Sequence, residues 1–246
     1  MMCVILVFTP FVCLWFSKDA IPQRVQIKDM KSIFIKNKYY LHVAGYFFII
    51  YWKRITDSIN EPLKVITHNW TGFVYAIEGD FVYLFQRSFS NQILTDVLNF
   101  HYLFIYLFII YVTTVFYAYV NERDLCDKVT MNYLLIYALA VPYYLFFNVE
   151  VTSSWIPQMD ALLYHDNLYS TFYIEHDPLD NAIPSLHIAI PFGILMINYL
   201  HVRENGIQMK SWKLYRYHRF ILFNTWLFIF SILYLGIHWL IDIPLG

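Results

Sequence analysis

The chain alternates long apolar runs with short charged segments. Val97 to Val120, Val129 to Val149, Asn181 to Val202 and Phe220 to Ile241 each contain no Asp, Glu, Lys or Arg. Runs of that length meet the roughly 20 apolar residues a helix needs to cross the hydrocarbon core of a bilayer. Tyr39 to Trp52 is shorter, and extends into a fifth span if Lys53 and Arg54 snorkel to the interface. Met1 to Ser17 is also apolar. It lacks the basic start and small-residue cleavage site of a signal peptide, so it reads as one more spanning helix. The pattern predicts an all-α polytopic membrane bundle of about six transmembrane helices. No repeat, low-complexity tract or linker divides residues 1–246, which read as a single membrane-embedded domain.

The connecting segments differ in sign. Residues 18–38 carry Lys18, Arg24, Lys28, Lys31, Lys36 and Lys38, and residues 203–219 carry Arg203, Lys210, Lys213, Arg216 and Arg219. No Lys or Arg lies between Lys128 and Arg203, an interval that holds Glu150, Asp160, Asp166, Glu175, Asp177 and Asp180. The positive-inside rule puts the two basic segments in the cytoplasm and the 150–180 segment outside. Helix parity agrees with this assignment and places residues 58–96 outside. There His68-Asn69-Trp70-Thr71-Gly72 and a semi-apolar run to Gln86 suit an interfacial or re-entrant piece.

Composition narrows the class. Apolar residues make up 59% and charged residues 14%, against about 25% charged in an ordinary soluble domain. That excludes a disordered chain and argues against a soluble globule. A net charge of −1 offers no basic excess for nucleic acid. Cys3, Cys13 and Cys126 form no disulfide framework, and no Cys/His cluster has zinc-site spacing. Most of the aromatic residues read as lipid-facing or packing groups.

Two sequence sites carry candidate chemistry. Asn181-Ala182-Ile183-Pro184-Ser185-Leu186-His187 opens a span at its outer end. Asn suits an N-cap and Pro the first helical turn, and a helix start favours an anion. His238-Trp239-Leu240-Ile241-Asp242 closes the last apolar run. On a helical turn i and i+4 share a face, so Asp242 is expected to hold one imidazole nitrogen of His238 and raise the basicity of the other. The charge-derived topology sets His187 and His238 on the same membrane face. Two such histidines beside a helix start suit phosphoryl transfer, one attacking phosphorus and the other protonating the leaving oxygen. A second His-x-x-x-Asp, His176 to Asp180, is interrupted by Pro178 and reads as solvated loop.

Pro184-Ser185-x-His187 followed by Ser231-x6-His238-x3-Asp242 resembles the second and third signature motifs of the type 2 phosphatidic acid phosphatase superfamily. Tyr234-Leu235-Gly236-Ile237-His238-Trp239 is similar to its third-motif wording. The resemblance covers about residues 130–246 well and the earlier half loosely. It implies a helical membrane enzyme with an outward-facing site, no metal or other cofactor, and a phospholipid or isoprenoid-phosphate substrate. By the same resemblance His238 is the nucleophile that forms a phosphohistidine, Asp242 its orienting partner, His187 the general acid and Ser185 a phosphate ligand. In that superfamily another apolar helix follows the third motif, so the resemblance implies a domain cut short, its closing helix after Gly246 missing.

The superfamily's first motif, Lys-x6-Arg-Pro, is absent, and Ile232 stands where the third motif usually has Arg. Loss of both cations resembles the inositol phosphorylceramide synthase branch and its archaeal relatives, which transfer a phospho-headgroup between lipids. A phosphate in a dry site still needs positive charge. Lys53, Arg54, Lys64 and Arg87 are the outer-side donors of the deduced topology, and Arg54, Lys64 and Arg87 are the expected substrate-binding replacements. Glu78 and Gln86, polar in an apolar stretch, belong to an interfacial helix face or contact a headgroup. Two other classes stay open: a non-catalytic relative that binds lipid or partners, and a metal-dependent hydrolase drawing on His187, His238, Asp242 and His176 or Asp177.

Overall fold

The computed structural model describes residues 2–163 and 179–246. Its helices are α1 (Met2–Phe16), α2 (Met30–Lys36), α3 (Tyr40–Leu63), α4 (Thr71–Glu78) and α5 (Phe81–Ser88). They continue with α6 (Gln92–Tyr119), α7 (Arg123–Phe146) and α8 (Thr152–Trp155). The last are α9 (Leu186–Glu204), α10 (Tyr215–Tyr234) and α11 (Asp242–Leu245). Among the described residues the chain is all-α apart from a two-residue parallel ladder, His68–Asn69 against Phe147–Asn148, and a bridge between Val149 and Asn181.

Among the described residues three helices, α6, α7 and α9, are long and apolar enough to cross a membrane. Helices α3 and α10 have 24 and 20 residues, but α3 carries Lys53, Arg54 and Asp57, and α10 opens with Arg216 and Arg219. Helix α1, with 15 residues, rises only about 22 Å, short of the roughly 30 Å hydrocarbon core. Two expected helix boundaries are corrected. The run from Phe220 to Ile241 is not one helix, because α10 stops at Tyr234. The helix expected to begin at Asn181 begins at Leu186, with Ser185 and not Asn181 as its N-cap.

Helix α9 packs against α10, α7 and α6, while α3 covers α7 and α1 lies on α6. The bundle interior is polar as well as apolar. His42 Nδ1 meets Thr130 Oγ1 at 2.7 Å, Thr113 Oγ1 meets Tyr217 Oη at 2.7 Å, Tyr117 donates to Asn198 Oδ1 at 2.6 Å, and His101 Nε2 meets Asn224 Oδ1 at 2.9 Å. Each bond joins two helices. Buried hydroxyl, amide and imidazole groups need such partners, and in apolar surroundings they fix which helix faces meet. The large tyrosine content therefore serves packing and interhelical bonding: Tyr102, Tyr117, Tyr133, Tyr217 and Tyr234 are fully buried. Phe47, Tyr51, Leu139, Phe223 and Trp226 face outward and exposed, a surface suited to lipid rather than water.

The two ends of the bundle are tied separately. At one end Arg216 pairs with Asp19, Lys213 with Glu122 and Lys128 with Glu204, and Val25 N donates to the Tyr119 carbonyl. At the other end residues 68–71, 147–151, 179–185 and 236–242 converge. Trp70 N donates to Asn148 O, Val149 N to Asp180 O, Ala182 N to Val149 O and Ser153 N to Gly236 O.

Gly193 marks the tightest crossing of α9 on α7. A Cβ there would lie 2.5 Å from Asn132 Nδ2. Gly193→Leu is expected to destabilise the bundle by about 1–3 kcal/mol through overpacking, read as a lower thermal midpoint in detergent. Gly193→Ala should shift it much less, because the Asn132 amide can turn aside.

Candidate functional site

The site lies at the end where four chain segments meet. Helix α10 ends there in a Schellman motif. Gly236 has φ +77°, the Gly236 N–H donates to Leu233 O at 3.4 Å, and the Ile237 N–H donates to Ile232 O at 3.2 Å. A left-handed residue with these two bonds terminates a helix and turns the chain sharply. At Gly236 a Cβ would also sit 2.9 Å from Ser153 Cβ, so both conformation and space require glycine. The turn delivers His238 just beyond the helix end. Ser231 is buried inside α10 with its hydroxyl on the Leu227 carbonyl. Ile232 is fully buried, and its carbonyl accepts the Ile237 and His238 N–H groups.

His238 and Asp242 meet, though not on the helical turn expected of them. His238 lies outside any helix and Asp242 is the first residue of α11. The Nδ1 of His238 lies 2.9 Å from Asp242 Oδ2 and 2.7 Å from the Ala182 carbonyl. Both partners are acceptors, so Nδ1 carries the proton. In the neutral imidazole Nε2 then holds the lone pair, and it faces Ser185 Oγ at 3.3 Å. The same Asp242 oxygen accepts the Trp239 N–H at 2.9 Å, as in the reciprocal arm of a capping box. Asp242 is fully buried, His238 nearly so, and Ser185 fully. Burial pushes the Asp242 carboxyl up from its ordinary value, with the His238 imidazole and the Trp239 N–H pulling it back. Asp242 Oδ1 is buried with no hydrogen-bond partner among the described residues.

Ser185 caps α9 by position only. Its carbonyl accepts from Ile188 N and Ala189 N, yet its side chain makes no cap bond and turns to His238. The first-turn N–H groups of α9 have no intrahelical partner. His187, in that first turn, stacks on Tyr102 and Tyr106 with ring centroids 3.7 and 3.8 Å away. Tyr102 belongs to a π-helical stretch of α6, His101–Ile105, an irregularity often found at functional positions. His187 is two residues beyond Ser185, whose hydroxyl faces His238 Nε2.

The expected basic residues go elsewhere in part. Lys64 pairs with Asp180 at 2.8 Å, directly before the 181–185 segment. Arg87 is exposed and donates to Tyr83 Oη at 3.2 Å. Arg54 is exposed on α3, and Lys53 pairs with Asp57 one turn along the same helix. His176, Asp177, Asp166 and Glu175 lie outside the described residues.

Several supporting groups carried no sequence signal of their role. Trp239 is fully buried, donates Nε1–H to the Glu150 carbonyl at 2.8 Å, and meets Tyr75 edge-on. Gln86 is a strut: its amide donates to Asp160 O and Tyr234 O and accepts from Asp160 N. Glu78 accepts the N–H groups of Leu240 and Ile241. For Glu78 and Gln86 the signal was polarity within an apolar stretch. The Ala182 and Glu150 carbonyls are backbone groups, which residue type cannot announce.

Compared with known protein families, curated proteins and solved structures, the chain matches none.

Burial penalises the charged form of Asp242, and asparagine keeps an oxygen acceptor there, so Asp242→Asn should not lower the thermal midpoint near neutral pH. Its folded pKa is raised above the unfolded one, so wild-type stability from this group is full at acid pH and declines as pH rises through the raised value. The midpoint of Asp242→Asn relative to wild type should therefore rise from acid to neutral pH, measured by thermal unfolding across that range.

Proposed function

We propose that the chain is an integral membrane phosphatase or phosphotransferase acting on lipid phosphates at the extracytoplasmic face, in the manner of the type 2 phosphatidic acid phosphatases. The observation that carries the reading is the hydrogen-bonded line Asp242–His238–Ser185 at the start of α9, with distances of 2.9 and 3.3 Å. Helices α3 and α10 cross beside α6, α7 and α9, and α1 adds a sixth apolar segment. The basic end tied by Arg216, Lys213 and Lys128 faces the cytoplasm, as the positive-inside rule requires. The His238 end then faces outward.

In this mechanism Ser185 swings its O–H from Nε2 to a phosphate oxygen. The freed Nε2 lone pair forms an N–P bond as the ester P–O bond breaks. Asp242 and the Ala182 carbonyl stabilise the imidazolium by holding Nδ1–H. His187 takes up a proton as the anionic phosphate binds beside it and gives that proton to the departing oxygen. Water or an alcohol then attacks phosphorus, the N–P bond breaks, and the acceptor's proton returns to His187. The α9 first-turn N–H groups and dipole favour the phosphate, and Lys64, next to Asp180, is the best placed of the expected cations. Water as acceptor makes a phosphatase, and inositol-type or lipid alcohols make a headgroup transferase.

A second reading rests on the same 3.3 Å contact. Ser185, His238 and Asp242 also stand in the order of a nucleophile, base and orienting acid for acyl transfer, with Ser185 attacking.

His238→Ala should abolish, and His187→Ala nearly abolish, phosphate release from phosphatidic acid vesicles with and without an added alcohol, while both proteins still insert. Rapid alkaline denaturation during turnover of labelled substrate should trap the label on His238. Label on Ser185, or full activity in both variants, would defeat the phosphohistidine mechanism.

A further inference from the structure

Glu78 is the last residue of α4, followed by Gly79 at φ +57°. A carboxylate there faces the negative end of its own helix dipole, an unfavourable placement. Its side chain nevertheless reaches another part of the chain. Oε2 accepts the Leu240 N–H at 2.7 Å and Oε1 accepts the Ile241 N–H at 2.6 Å. Together with Asp242 Oδ2 on Trp239 N, two carboxylates take three consecutive peptide N–H groups, those of residues 239 to 241. These are all the residues that separate His238 from Asp242.

The distance between the His238 and Asp242 side chains depends on the path of those three residues, because no helix sets it. Asp242 holds one end of the path from within. Glu78 holds it from outside, and it comes from a separate element with backbone anchors of its own: Trp70 N donates to Asn148 O, and Glu150 N donates to Thr71 Oγ1. Ion-to-N–H hydrogen bonds of this kind are about twice as strong as neutral ones.

We infer that Glu78 is a positioning residue for His238, its carboxylate clamping the Leu240–Ile241 backbone so that Asp242 keeps Nδ1 and Nε2 stays aimed at the start of α9. This rests on the proposed role of His238 as the reacting imidazole. Glu78 touches neither imidazole and acts only through the backbone. A glutamine there offers one acceptor and turns a donor towards the second N–H, so the clamp is halved.

The test uses the full chain in detergent or vesicles and has two independent readouts. The first needs no activity: the downfield Nδ1–H proton resonance of His238, assigned by its disappearance in His238→Gln. In Glu78→Gln this resonance should broaden or vanish through exchange, whereas Ile77→Ala, changed at an exposed neighbour on the same helix, should keep it. The second is turnover of phosphatidic acid in phosphatidylcholine vesicles. Glu78→Gln should lower kcat about ten- to a hundredfold, the scale of a small misplacement of a reacting group, with KM within about twofold. An unchanged resonance with unchanged kcat overturns the inference, as does a rise in KM alone, which would make Glu78 a substrate contact. If Glu78→Gln does not insert, Glu78→Asp, which draws the carboxylate back by one methylene, is read against the same outcomes. A wild-type chain with no turnover at all would sink the proposed function, while the resonance would still decide the role of Glu78.

Discussion

One N–H, on Nδ1 of His238, ties one end of the molecule together. It is shared between a carboxylate from its own segment and the Ala182 carbonyl from the segment leading into α9. Ala182 is itself held by Val149, whose neighbour Asn148 bonds to Trp70. Three stretches far apart in the chain therefore define where one imidazole sits. Because both acceptors compete for the same proton, the tautomer is set without any further partner, and the other nitrogen is left as a base or nucleophile. If that bond is removed, the start of α9 and the end of α10 lose the contact that aims them at each other.

The same region collects local features that run against ordinary preference. Asp242 keeps a carboxylate at zero exposure, with one oxygen unpartnered among the described residues. Glu78 places a negative group at the wrong end of its helix. Ser185 occupies an N-cap position without capping. Tyr102 lies in a π-helical irregularity and stacks on His187. Elsewhere many of the buried hydroxyls are paired, among them Thr113, Tyr117 and Tyr217, and apolar side chains turn outward. Conflicts gathered at one end are what a site under functional demand displays, and burial of charge there is the usual means of adjusting acid–base behaviour.

The opposite end shows the contrast. Its charges form exposed or half-exposed pairs, among them Arg216–Asp19 and Lys128–Glu204, of the kind that contribute little to stability. They share the end with the basic segments from which orientation was deduced. In a bundle whose middle is apolar on the outside and cross-linked by tyrosine, threonine and asparagine within, the two ends can differ in this way without disturbing the packing between them.

Much of this was legible in one dimension. The long uncharged runs announced α6, α7 and α9, because span length is set by bilayer thickness and not by neighbours. The His238–Asp242 spacing announced a pair, and the Pro184-Ser185 step announced a helix start. Other features depended on long-range contact. Spacing alone implied a helical turn for His238 and Asp242, but Gly236, at positive φ with its carbonyl accepting the Ser153 N–H, ends α10 earlier and the pair closes across a non-helical path. Glu78, Gln86 and Tyr106 take their roles from elements dozens of residues away. The Ala182 carbonyl carries no side-chain signature at all. Hydrophobic periodicity is a property of each segment and is written locally. The meeting of an imidazole with a distant backbone oxygen exists only once the segments have packed.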